Sequence, residues 1–465
     1  MSELRGNVLW FTAGAVVVVI VTLAFLVSPL VAVAGGVAAA VTVWALFEGR
    51  GRYRGVAVLG GVGAVVLVPA LHTPLPGWTG MAGGGLWMLV FGVFLPNRRR
   101  AGGWVPFILL AATVLVGVGG SLMIRPFPFV AIALLYLLPV ALLGRGLVPE
   151  DARLVRNGVV ALALIEALLC LAEFAVFRGD PFDDASGYHP VLSGFTRTEG
   201  TLGHPIVAGV AMLGGMVVLL AASMPGRWKF VGSAVLLVGI FTTGSSSVYI
   251  AALVAVVGPL VFVGRAASRV IKVSLLVAVG AWLLGHREIF EPVVNDVSGI
   301  NSTHRLNSIQ AIPNLLTLRP LAQGLVGSGW GSEETNYRLG FLKNDYFYTV
   351  DNMFATTMMA AGITGFLLII AFIIASFVHA SRAGRVALLP MVVMMLSFDV
   401  LQWASAGALF VVIVFTMRRP AGVRAEAERG NLPLDQIEPG PPLPDARTRV
   451  GAARTRVDLS PCRAR

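Results

Sequence analysis

Long apolar runs, separated by short polar segments, repeat along most of the chain. A membrane-spanning helix needs about 20 predominantly apolar residues, and fewer where neighbouring helices shield it. The pattern therefore predicts an all-α polytopic integral membrane protein with about 12–14 transmembrane helices. The predicted helices lie near 8–27, 30–47, 55–71, 79–95, 104–123, 128–143, 157–177, 205–223, 229–243, 246–264, 269–285, 353–378, 386–399 and 403–417. The last two are short, and one broken helix is an alternative.

The composition agrees with a membrane protein. Of the 465 residues, 56% are hydrophobic and 13% are charged, whereas a soluble domain carries about 25% charged residues. The two cysteines, Cys170 and Cys462, provide neither a disulfide framework nor a metal site. The net charge of +11 does not indicate nucleic-acid binding, because the basic residues follow the membrane pattern.

Lysine and arginine are concentrated in alternate connections between the predicted helices. One set of short connections, with Arg5, holds 17 basic residues, whereas the other short connections hold only Arg125. Cytoplasmic loops are the ones enriched in Lys and Arg. The sequence therefore predicts a multi-pass protein of the plasma membrane with both termini in the cytoplasm.

The same alternation places two long loops, 178–204 and 286–350, on the outer face. Long irregular segments beside a rigid scaffold often carry function. We divide the chain into N-terminal transmembrane helices at 1–156, a transmembrane region with both loops at 157–417, and a tail at 418–465. The tail is rich in Pro and Arg, and we expect it to be disordered and cytoplasmic.

Three arginines are candidate ligands of a diphosphate. Arg305 begins an amphipathic segment expected at the membrane interface, Arg197 precedes the helix that starts at Pro205, and Arg319 opens a glycine-rich segment. The guanidinium fork binds phosphate oxygens bidentately and keeps its charge. The structural alternative for Arg305 is a solvated loop arginine that reaches the lipid headgroups. The structural alternative for Arg197 is an ion pair with Glu199 or Asp183.

Asp351 and His304 are the candidate general bases for activating a hydroxyl group. Asp351 stands beside Asn352 at the mouth of a predicted span, so that capping the helix is the alternative role for its carboxylate.

Other residues could support such a site. Gly327 and Gly329 allow tight turns and close approach of the backbone to a ligand. Glu166 lies within a predicted span on one face with Cys170 and Glu173, and buried intramembrane carboxylates are often functional. No residue pattern predicts a metal or other cofactor.

The order of these motifs resembles the O-antigen ligase and polymerase superfamily. The residues that carry the resemblance are Arg305, RPLAQGLVGSGWG at 319–331, DNMFATTMMAAGITG at 351–365, RTEGTLGHP at 197–205 and TTGSSS at 242–247. The last segment stands where the family has a TGSR-like turn, with Ser246 in place of Arg. Ligases of Gram-negative bacteria often have His-Asn where this chain has Asp351-Asn352. The resemblance covers about residues 155–417.

The resemblance implies a GT-C-like glycosyl transferase with its active site outside the cytoplasm. Such an enzyme moves a glycan from an undecaprenyl-diphosphate carrier to a hydroxyl group of a glycan or lipid acceptor, in the synthesis of cell-surface polysaccharide. Arg197 and Arg305 would then hold the diphosphate. The implied partners are the lipid-linked donor, the acceptor, membrane lipid and other polysaccharide-assembly proteins, with no nucleic acid.

Three alternatives remain at this stage. The motif DNMF also resembles the peptidoglycan polymerases of the shape, elongation, division and sporulation family, which use an Asp near an outer helix entry. A polysaccharide or lipid transporter would show charged or broken helices near the middle of the membrane. A structural protein that recruits other enzymes is the third.

Overall fold

The computed structural model describes residues 53–67, 81, 84–85, 88, 103–122, 129–177, 195–222, 224–262, 307–342 and 350–419. The predicted helices 8–27, 30–47 and 269–285, most of 79–95 and the tail beyond 419 lie outside these ranges. The chain divides after Arg418 into two units, and the described residues belong almost entirely to the first.

The described residues form helices joined by short loops, and they contain no extended strand. The predicted helical fold is therefore confirmed for the described residues. The helices are α1 Tyr53–Leu67, α2 Trp104–Leu122, α3 Phe129–Arg145, α4 Pro149–Ala172 with a π-turn at Glu173–Phe177, α5 Pro205–Ala221, α6 Gly226–Thr242, α7 Ser246–Phe262, α8 Ile312–Thr317, α9 Leu321–Val326, α10 Glu333–Arg338, α11 Met353–His379, α12 Arg382–Met395 and α13 Ala404–Thr416.

Three helical segments among these residues are long and apolar enough to cross a membrane, namely Trp104–Ser121, Pro149–Val176 and Met353–His379. Leu367, Ile374 and Val378 of α11 are large apolar side chains exposed on the surface, as expected for a face in contact with lipid. The predicted number of membrane passes and the GT-C-like arrangement remain predictions.

The start of α4 and the connection between α12 and α13 differ from the prediction. Helix α4 begins at Pro149, eight residues before the predicted start at 157, because Pro149 occupies the first turn and Glu150 and Asp151 follow it. Proline and acidic residues both favour a helix N-terminus. Helices α12 and α13 are separate, with a turn at 396–403 between them, so the interpretation as one broken helix is wrong.

Arginine side chains gather where α3, α11 and α13 end and α4 and α12 begin, which we call the basic end. Arg156 donates to the Thr416 carbonyl over 3.1 Å, and Arg385 donates to the Phe377 carbonyl over 3.0 Å. The guanidinium of Arg145 lies 3.3 Å from the Trp104 ring centroid. At their other ends the helices meet the loops 195–204, 242–245, 350–352 and 396–403, which we call the polar end.

Helix α11 is interrupted at Gly362, whose φ of +64° is not helical. The segment 319–329 packs into this break. The backbone N–H groups of Ser328 and Gly329 donate to the Met359 and Ala360 carbonyls over 3.0 and 2.8 Å. Carbonyls at the end of a helical segment need such partners when they are buried. The break is therefore a docking point for the segment that precedes α10.

Candidate functional site

The loop that carries Arg197 lies against the turn between α6 and α7. Arg197 Nε donates to the Thr243 carbonyl over 3.0 Å. Its neighbour Thr198 donates its N–H to the Thr242 carbonyl over 3.1 Å, and the hydroxyls of Thr198 and Thr242 are 2.8 Å apart. Two motifs that are more than 40 residues apart in sequence are thus held together through backbone and side chain.

Serine hydroxyls surround the start of α7 next to Arg197. Ser245 accepts the first helical hydrogen bond from the Tyr249 N–H over 3.0 Å, which makes Ser245 the N-cap. The hydroxyls of Ser245 and Ser247 are buried and have no hydrogen-bond partner in the described part of the chain. A helix N-terminus with a nearby arginine favours an anion.

Glu166 of α4 and Glu173 of the following π-turn accept hydrogen bonds from the loop 195–204, which carries Arg197. Glu166 accepts from the Thr201 N–H over 2.9 Å and from its hydroxyl over 2.8 Å. Glu173 accepts from the Gly200 N–H over 2.9 Å. Cys170, between the two acids, is also buried, so the predicted shared face is confirmed. Glu166 therefore supports the loop that carries Arg197 through its hydrogen bonds with Thr201.

Asp351 and Asn352, at the start of α11, have different roles. Asn352 is the N-cap and accepts from the N–H groups of Phe354 and Ala355, each over 3.0 Å. Its amide donates to the Leu396 carbonyl over 2.7 Å. Capping by Asp351, the structural alternative from the sequence, is therefore wrong. The Asp351 side chain is half-buried and lies close enough to Asp399 for their charges to interact.

Asp399 is a further acid, outside the set of candidate residues predicted from the sequence. It lies in the turn between α12 and α13 and accepts from the Thr356 hydroxyl over 2.7 Å. Burial raises the pKa of Asp399 well above its usual range, and the nearby charges of Asp351 and Glu333 raise it further. Burial also raises the pKa of Glu333, and Gln402 beside it offsets part of the rise.

Three rings connect the Arg197 loop to this acidic turn. His204 is the N-cap residue of α5, and Pro205 occupies the first turn as predicted. The His204 ring centroid lies 5.1 Å from that of Trp403 and 6.2 Å from that of Phe398. Burial and the neighbouring Arg197 charge lower the pKa of His204 to about 4, so the imidazole is neutral at pH 7.

Arg319 lies in the break of α11 and is buried. It donates to Ser328 Oγ and to the Met358 and Met359 carbonyls. Burial lowers the pKa of Arg319 to about 10, which leaves it charged at neutral pH. The Arg319 guanidinium thus satisfies helix carbonyls within the fold, which leaves Arg197 as the described arginine available to a diphosphate.

Gly327 and Gly329 approach helix backbone closely. A Cβ on Gly327 would lie 2.1 Å from the Ala360 carbonyl oxygen, and one on Gly329 would lie 2.3 Å from the Ser121 nitrogen. Both have positive φ angles. Their closeness is to α11 and α2, so they support the site by docking the loop.

Of the predicted residues, Arg197, Asp351, Asn352 and Glu166 lie at or beneath the polar end, whereas His304 and Arg305 lie outside the described residues. Sequence reasoning missed the contributions of Glu333, Gln402 and Trp403. The Glu333 contact joins segments more than 60 residues apart, and no local motif marks it. An acid in the short polar gap between two apolar runs was the available signal for Asp399.

The described residues contain no group of three or more His, Cys, Asp and Glu side chains that could hold a metal ion. No model of a known protein family matches the chain, and no curated protein matches it either.

Proposed function

We propose that this chain is a membrane glycosyl transferase of the ligase or polymerase kind. It moves a glycan from an undecaprenyl-diphosphate carrier to an acceptor hydroxyl at the outer membrane face. The observation that carries the proposal is the contact of Arg197 with the turn that starts α7. It places a guanidinium beside a helix N-terminus and two buried serine hydroxyls without partners, and this combination suits a diphosphate.

The polar end also offers acid groups on the far side of His204. Asp351 is the proposed base, because burial raises the pKa of Asp399 well above its usual range and so favours the protonated form of Asp399. Asp351 takes the proton of the acceptor hydroxyl, and that oxygen bonds to the anomeric carbon. The bond from this carbon to the carrier diphosphate breaks with its electron pair. Arg197 stabilises the departing charge, and a single displacement inverts the anomeric configuration.

His304 and Arg305 keep their predicted parts as an alternative base and a second diphosphate ligand. Both belong to the same long predicted outer loop as α8 to α10. The described part of that loop begins at residue 307. Ala311 and Leu315 in it are buried against the start of α11. This packing supports a loop that stays close to the polar end.

Transport is the second candidate, and the break in α11 favours it because transporters use discontinuous helices. In those proteins the exposed backbone at a break binds the transported substrate. Here the carbonyls of Met359 and Ala360 are already occupied by Arg319, Ser328 and Gly329. The break in this chain thus serves packing, and transfer is the better proposal.

Deletion of the gene followed by analysis of surface polysaccharide tests the function. Loss of a transferase should leave glycan on the carrier lipid, as single repeat units for a polymerase and as long chains for a ligase. A deletion strain with unchanged polysaccharide and no carrier-linked glycan would contradict the proposal.

A further inference from the structure

Several buried polar atoms around the turn 396–403 have no hydrogen-bond partner in the described part of the chain. They are Asp399 Oδ1, Glu333 Oε1, Gln402 Nε2 and His204 Nδ1. Leaving a buried polar atom unpaired costs about 1–3 kcal/mol, and native proteins keep few of them without a reason. Asp399 is 9% exposed, so bulk water does not account for its free oxygen.

These atoms belong to neighbouring side chains. The backbone N–H of Gln402 donates to the backbone carbonyl of Asp399 over 3.0 Å within one turn. The Gln402 side chain also lies beside Glu333. Glu333 is close enough to Asp399 to affect its titration. His204 reaches the same turn through its contact with the Trp403 ring. Three separate elements therefore present unpaired polar groups to one small region.

The chemistry of the set matches a neutral polyol better than a cation. Burial raises the pKa values of Asp399 and Glu333, so protons rather than charges are favoured there. The Gln402 amide donates, the Glu333 oxygen accepts, and a protonated Asp399 can do either. Sugar hydroxyl groups also donate and accept. Next to these groups, the Trp403 ring offers an amphipathic aromatic surface of the kind found at ligand sites.

We propose that the turn 396–403, together with Glu333, forms a subsite that binds a pyranose ring through Asp399, Gln402 and Trp403. The choice of a sugar as the ligand rests on the proposed function. The observation that these polar groups are unpaired is independent of that function. Gln402 is a specificity-determining residue in this account, and it takes no part in bond making.

The test is direct binding of simple sugars to the full-length protein in detergent. Saturation-transfer NMR would be recorded with the methyl glycosides of glucose, galactose, mannose and N-acetylglucosamine. We expect saturation of the ring protons of at least one glycoside by the wild type. Gln402→Leu should raise its dissociation constant about tenfold, as expected for the loss of one buried hydrogen bond.

Gln402 Nε2 has no hydrogen-bond partner in the described part of the chain apart from its interaction with the Glu333 carboxyl, so Gln402→Leu should unfold at about the temperature of the wild type. If the leucine variant does not fold, Gln402→Ala gives the same test with a smaller side chain. Glu334→Gln is the matched control, because Glu334 adjoins Glu333 but is exposed and paired with Arg338. Its dissociation constant should equal that of the wild type.

Two results would overturn the subsite: no glycoside bound by the wild type, or equal dissociation constants for the wild type and Gln402→Leu. Neither would affect transfer that depends on Arg197. Conversely, sugar binding that needs Gln402 in a protein without transferase activity would support the subsite and refute the proposed function.

Discussion

Buried carboxyl groups near the polar end have different surroundings, and these decide what each can do. Glu166 accepts two hydrogen bonds from Thr201, so its oxygens are committed to holding a loop. Asp399 accepts from Thr356 through one oxygen, and the other has no partner among the described residues. The carboxyl group of Glu166, with its hydrogen bonds to Thr201, stabilises the fold. The carboxyl group of Asp399, with one oxygen unpaired, can bind a ligand.

The burial of His204 predicts that the stability of the protein depends on pH. The pKa of this histidine is about 4 in the folded protein and about 6.5 in an unfolded chain. As pH falls, the unfolded chain therefore binds the proton first. The stability contributed by the neutral ring is present above about pH 6.5 and is lost as pH falls towards 4.

Thermal unfolding of the wild type and of His204→Gln between pH 7.5 and 4.5 would measure this effect. Asp399 and Glu333 titrate in both proteins, so the difference between the two curves isolates His204. We expect the wild type to lose stability relative to the variant as pH falls. Parallel curves would show that His204 is not kept neutral by the fold.

At the scale of elements, the break in α11 and the segment 319–329 depend on each other. The Arg319 side chain and two loop N–H groups satisfy carbonyls that the break exposes. Leu325 and Gly327 lie so close to Gly362 that a Cβ there would meet the Leu325 carbonyl at 2.4 Å. Both the positive φ and this contact require glycine.

Gly362→Ala should therefore destabilise the protein by about 1–3 kcal/mol, the usual cost of an unfavourable backbone conformation. Gly119→Ala in α2 is the control, since no atom lies within 4 Å of its added Cβ and alanine favours a helix. Thermal unfolding of both variants checks this. Equal midpoints for Gly362→Ala and the wild type would mean that the break is not held by the docked segment.

The elements were largely predictable, whereas the contacts of the site were only partly so. The apolar run that forms α11 was predicted at 353–378 and spans Met353–His379, because a lipid-facing helix needs a continuous apolar sequence. The break at Gly362 was not predicted, since it depends on a loop more than 30 residues earlier. The closeness of Asp351 to Asp399 was missed for the same reason.

At the scale of the molecule, arginines collect at one end of the described helices and the candidate site at the other. From the positive-inside rule we propose that the polar end lies outside the cell. Arg338 in α10 and Arg385 in α12 are exposed at the two ends. They are suitable positions for cysteine labelling, because Cys170 is buried and Cys462 can be changed to serine.

In intact cells, a membrane-impermeant maleimide should label Arg338→Cys and not Arg385→Cys. After permeabilisation both should react, which controls for expression and access. Labelling of Arg385→Cys alone in intact cells would reverse the orientation and place the proposed site in the cytoplasm.

We propose that Arg197 holds the diphosphate of a lipid-linked glycan during transfer. The most direct test of this role is the rate of glycan transfer in proteoliposomes that contain the carrier-linked donor and an acceptor. Removal of a group that stabilises transition-state charge costs about 10²–10³ in rate. Arg338→Ala serves as the control, because that arginine is exposed and pairs only with Glu334 among the described residues. We predict that Arg197→Ala loses at least about 100-fold in rate at equal protein level, while Arg338→Ala keeps the wild-type rate. Equal rates for Arg197→Ala and the wild type would contradict the account.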